Sequence, residues 1–97
     1  MQRLFVERRI RDVHARLKRA REELGVLDEQ LSAMSEAADE ARIRSLVSET
    51  PLATHEYGEL KRHADAMARA RASVAITVED LERKRDALLE HVGSRRT

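Results

Sequence analysis

The sequence predicts an all-α fold, an antiparallel two-helix coiled-coil hairpin formed by residues 1–97 as a single unit. Three observations carry that prediction. Two stripes of apolar residues repeat with heptad spacing along the chain. The stripes mirror each other about residue 49. The only proline of the chain, Pro51, stands beside that centre in the stretch "LVSETPLATHEY".

Helix one is expected over about 3–48. Alternating steps of four and three from Val6 reach Ile10, Val13, Leu17, Ala20, Leu24, Leu27, Leu31, Met34, Ala38 and Ala41, and all eleven positions are apolar. Ile43, Leu46 and Val47 fall out of this phase, which marks the end of the seam. The turn is expected over about 49–51. Thr50 suits the N-cap and Pro51 the first helical position, where a missing N–H costs nothing. Proline also disfavours helical angles at Thr50, so helix one should stop near Ser48 or Glu49.

Helix two is expected over about 52–92. Its stripe is Tyr57, Leu60, Ala64, Met67, Arg71, Val74, Val78, Leu81, Arg85, Leu88 and Val92, apolar at nine of eleven positions. Positions whose numbers sum to 98 pair every a of one helix with a d of the other, as Leu17 with Leu81 and Ala41 with Tyr57. That register is the one an antiparallel coiled coil uses. Gly93 reads as a C-terminal stop, with residues 93–97 frayed. Acid-before-base pairs four apart, Glu7–Arg11, Asp12–Arg16, Glu40–Arg44, Asp65–Arg69 and Glu79–Arg83, should add a few tenths of a kcal/mol each. Gly25 and Gly58 should weaken their helices by about 1 kcal/mol relative to alanine.

Composition agrees with long helices. Charged residues make up 38% of the chain and aromatic ones 2%, and the apolar 41% is mostly alanine, leucine and valine. Without cysteine there is neither a disulfide framework nor a thiolate metal site. "MQRLFVERRIRDV" places charges where a signal peptide needs an apolar run, and no stretch reaches the length of a membrane span. The expectation is a soluble, cytoplasmic protein with no membrane contact.

Apolar character exceeds what the seam requires around "AMARARASVAITV". Ala68, Ala72, Ala75 and Ile76 are spaced i, i+4, i+7, i+8 on the outward side of helix two. This second stripe is the expected self-association or partner surface, most simply a homodimer closing a four-helix bundle. The polar seam positions Arg71 and Arg85 are expected to reach outward, Arg71 to Asp28 or Glu23 and Arg85 to Asp12.

Charge is distributed unevenly. Residues 1–21 hold eight Arg/Lys against two acids, and residues 22–60 hold ten acids against two arginines. A basic arm, Arg8, Arg9, Arg11, Arg16, Lys18, Arg19 and Arg21, offers itself to phosphate. It has no interleaved aromatic for base stacking, and Glu79, Asp80, Glu82, Asp86 and Glu90 should partly neutralise it. Glu49, Glu56 and Glu59 are expected at an acidic tip. That tip lacks both the Trp-x-Gly turn of small hairpins exported by type VII secretion and the adjacent acidic pair of transcript-cleavage factors.

Chemistry finds little foothold. His14, His55, His63 and His91 have no Glu-x-x-His or His-Glu-x-x-His spacing. Glu56, Glu59 and His63 would hold a metal only weakly. No phosphate loop or nucleophile elbow is present. The sequence therefore predicts a non-enzymatic interaction or adaptor protein without catalytic residues, metal or cofactor. It would self-associate or dock on a larger protein. The alternative is a regulator associated with RNA polymerase or nucleic acid, acting through the acidic tip or the basic N-terminal helix.

Overall fold

A computed structural model of the chain describes residues 2–95. It contains two helices, α1 (Gln2–Ser48) and α2 (Pro51–Arg95), and the described residues include no strand. The all-α helical hairpin is thus the architecture observed. No helix among the described residues is long and apolar enough to cross a membrane.

The turn is two residues wide and each of them is specialised. Glu49 adopts φ 51°, the left-handed region, and its N–H donates to the Ser45 carbonyl at 3.1 Å. This is the αL stop in which the residue after the helix cap bonds three positions back from it, a place usually taken by glycine. Thr50 then caps α2: its Oγ1 accepts from the Ala53 N–H at 3.2 Å, and its carbonyl accepts from the Thr54 N–H at 3.1 Å. Pro51 follows as the first helical residue. The break in the heptad phase is therefore made by a left-handed stop and a threonine cap set back to back.

Two expectations fail at helix ends and surfaces. Gly93 does not end α2, because the helix continues to Arg95 and no glycine has a positive φ. Residues 96–97 of the expected frayed tail lie outside the described residues. None of the five acid-before-base pairs forms. Glu7 instead meets Arg3 at 3.4 Å, Asp65 meets Lys61 at 3.8 Å, and Asp80 accepts from Arg83. Exposed ion pairs of this kind differ by tenths of a kcal/mol, so spacing alone does not select among them.

Burial follows the predicted seam. Every position of both stripes is buried or half-buried, the arginines at 71 and 85 included. The chain resolves into two compact units: the first runs up to Leu24 and resumes from Val74, and the second is Gly25–Ser73. In the first unit, Val13, Leu17 and Ala20 of α1 are buried with Val78 and Leu81 of α2, and Leu24 and Leu88 pack against this cluster. Leu17, 1% exposed, is the largest fully buried side chain among the described residues. Arg21 reaches Glu82 at 3.8 Å on the exposed rim.

The second unit has a seam of different character. Its buried residues are Ala38, Ala41 and Ala64, flanked by half-buried Leu31, Met34, Tyr57, Leu60 and Met67. Ala38, Tyr57 and Ala64 also line a small groove of about 190 Å³ with Ser35, Asp39, Lys61 and Asp65. Small side chains on the buried positions leave the volume of this unit to Tyr57 and the leucines beside it.

Two backbone exchanges are expected to stabilise the chain for opposite reasons. A Cβ at Gly25 meets nothing within 4 Å and the backbone there is helical, so Gly25→Ala should gain about 0.5–1 kcal/mol. Glu49→Gly should gain a similar amount, roughly 0.5–1 kcal/mol, by removing the Cβ from a left-handed position. Urea denaturation followed by circular dichroism checks both, and a loss of stability in either variant contradicts its assignment.

Candidate interaction surfaces

The strongest unsatisfied feature lies where α1 ends. Ile43, Leu46 and Val47 are 62%, 65% and 80% exposed. Their i, i+3, i+4 spacing puts them on one face of α1. That face points away from the seam, since Ala38, Ala41 and half-buried Ser45 occupy the other side of the same turns. Leu52, across the turn, is 67% exposed. Sequence reasoning registered these aliphatics only as a lost phase. Their mutual spacing was the available signal.

The expected acidic tip is less free than its charges suggest. Glu49 supplies the left-handed stop of α1. Glu59 accepts from Arg62 and lies 3.9 Å from His55 Nε2. The Arg62 hydrogen bond and its charge hold the Glu59 carboxyl below the usual range, helped by the charges of His55 and His63 and opposed by slight desolvation. Glu56 is exposed. Among the described residues no group of three or more His, Asp or Glu side chains is placed to hold a metal, the Glu56, Glu59 and His63 set included.

The outward residues of α2 are arranged as follows. Ala68 and Ala72, in the second unit, are exposed; Ala75, in the first, is half-buried; Ile76 beside it is 58% exposed. At the polar seam positions, Arg71 donates to Asp28 across the second unit. Arg85 does not reach Asp12. Its Nε lies 3.2 Å from Asp86 Oδ1, the next residue of its own helix. An adjacent carboxylate satisfies the guanidinium with less side-chain ordering than a cross-helix partner demands.

The basic arm is more available than expected. Arg8, Arg9, Arg11, Arg16, Lys18 and Arg19 are all exposed, and none of them forms an ion pair among the described residues. Arg9 sits over the Phe5 ring, 6.0 Å from its centroid. Of the five acids expected to neutralise the arm, Asp80 pairs with Arg83 and Asp86 with Arg85, Glu82 meets Arg21 at the end of the arm itself, and Glu79 and Glu90 form no ion pair among the described residues. Arg16, Arg19 and Lys84 border an open groove of about 400 Å³ in the first unit, with Glu23 and Asp80 on the same rim and Ala20 and Leu81 at its base.

No protein-family model, no curated protein and no solved structure matches this chain.

Proposed function

We propose that the chain is a non-enzymatic interaction module that docks on other protein surfaces through helix faces its own seam leaves uncovered. The observation that carries this reading is the outward aliphatic face of Ile43, Leu46 and Val47. Large aliphatic side chains grouped on one exposed face expose apolar area that water does not favour, and in soluble proteins such groups mark association sites. Capture with the tagged chain from a native lysate tests it. Val47→Asp should release the captured proteins, while Val47→Ala should retain part of them. Equal capture by all three chains contradicts the reading.

Self-association into a four-helix bundle belongs to the same proposal. It rests on Ile76, 58% exposed in the first unit next to Ala75, and on the exposed small residues Ala68 and Ala72 of the second unit. Small side chains allow close helix approach, and short chains commonly reach stability by oligomerising. Sedimentation equilibrium should show a self-association that Ile76→Glu weakens. An unchanged association constant in that variant removes the α2 surface from the proposal.

The basic arm, unpaired from Arg8 to Arg19 among the described residues, favours a second reading, binding to nucleic acid. If it holds, Arg8, Arg9, Arg16 and Arg19 changed together to alanine should abolish a salt-sensitive affinity for RNA or DNA.

A further inference from the structure

We propose that the outward face of α1 in the second unit is covered by the outward face of α1 from the first unit of a second copy, packed antiparallel. The inference rests on the docking role of the aliphatic face and names its occupant. In the first unit the outward face of α1 reads Leu4, Arg8, Arg11: apolar, then basic. In the second unit it reads Glu36, Glu40, Ile43, Val47: acidic, then apolar. All seven side chains are exposed.

Antiparallel alignment matches the two orders. With Leu4, 64% exposed, beside Val47, 80% exposed, the same spacing sets Arg8 beside Ile43 and Arg11 beside Glu40. The Arg8 stem then covers Ile43 while its guanidinium reaches toward the acids, as long basic side chains do on apolar surface. None of Arg8, Arg11, Glu36 and Glu40 has an ion-pair partner within its own chain among the described residues, so no existing pair is broken on contact. Charge agrees over the units as a whole. The first carries thirteen Arg/Lys and nine acids, and the second six Arg/Lys and nine acids. Like faces would repel, so the charges also set which face meets which.

A charge swap tests this in the intact chain by sedimentation velocity. Wild type should associate with rising concentration, and raising salt from about 0.05 to about 0.5 M should weaken that association about tenfold. Beside Ile76→Glu, which takes the α2 surface out of play, the Arg8→Glu/Arg11→Glu chain and the Glu36→Arg/Glu40→Arg chain should each be monomeric. An equimolar mixture of the two should associate again, and so should one chain carrying all four changes. Failure of the mixture to associate overturns the proposal, as does association that salt leaves unaltered. If wild type stays monomeric while Val47→Asp still abolishes capture of other proteins, the docking reading stands and the second copy as occupant falls. Circular dichroism of each variant confirms that helix content is retained.

Discussion

Leu17→Ala is expected to lower stability by about 3 kcal/mol and the melting temperature by roughly 15 °C. Leu17 is 1% exposed at the centre of the cluster formed with Val13, Ala20, Val78 and Leu81. Two packed helices have few atoms able to close over a lost isobutyl group, so both the transfer term and the cavity term apply. Leu4→Ala, at 64% exposure, should change stability by less than about 0.5 kcal/mol. Urea unfolding of the two variants separates a residue of the seam from one of the surface. Equal losses would contradict the burial assigned to each.

Ala41→Leu is expected to destabilise by about 2 kcal/mol. In a generic heptad seam the larger side chain would add apolar contact and stabilise. Here Ala41 is 1% exposed, in a unit whose other buried residues are also alanines, Ala38 and Ala64. The added carbons must displace a neighbour or part the helices. The compensating exchange should expose the cause. Adding Tyr57→Ala to Ala41→Leu is expected to restore part of the loss, because the register places residue 57 opposite residue 41. Stabilisation by Ala41→Leu alone would show that the seam of this unit has room to spare.

What the sequence made legible was whatever periodicity encodes. Every residue reached by the alternating spacing from Val6 to Ala41 and from Tyr57 to Val92 is buried or half-buried, because helix geometry turns spacing directly into a buried face; half-buried Ser45 and Ala53, one step further toward the turn, were missed. Thr50 and Pro51 were readable for a similar reason: capping needs a particular side chain at a particular place. Glu49 was not. A left-handed residue is announced by glycine or asparagine, and a glutamate forced there by the length of the turn carries no signal. Arg85 was misplaced because several carboxylates lie within its reach and their energies differ little. The outward aliphatics Ile43, Leu46 and Val47 were overlooked because they were judged against the seam instead of against one another. The basic arm was judged by formal charge, whereas its availability depends on which acids the neighbouring cations of α2 have already taken.

The proposed division of labour, a seam that holds the hairpin and outward faces that meet partners, makes the two sets of residues separable. The direct measurement is the urea unfolding of an Ile43→Asp/Val47→Asp chain at a concentration low enough to keep it monomeric. The midpoint should stay within the error of the wild-type value, with helix content unchanged, since both side chains face water in the isolated chain. A loss comparable to that of Leu17→Ala would mean that the aliphatic face is part of what holds the fold, and it would contradict the interaction role assigned to it.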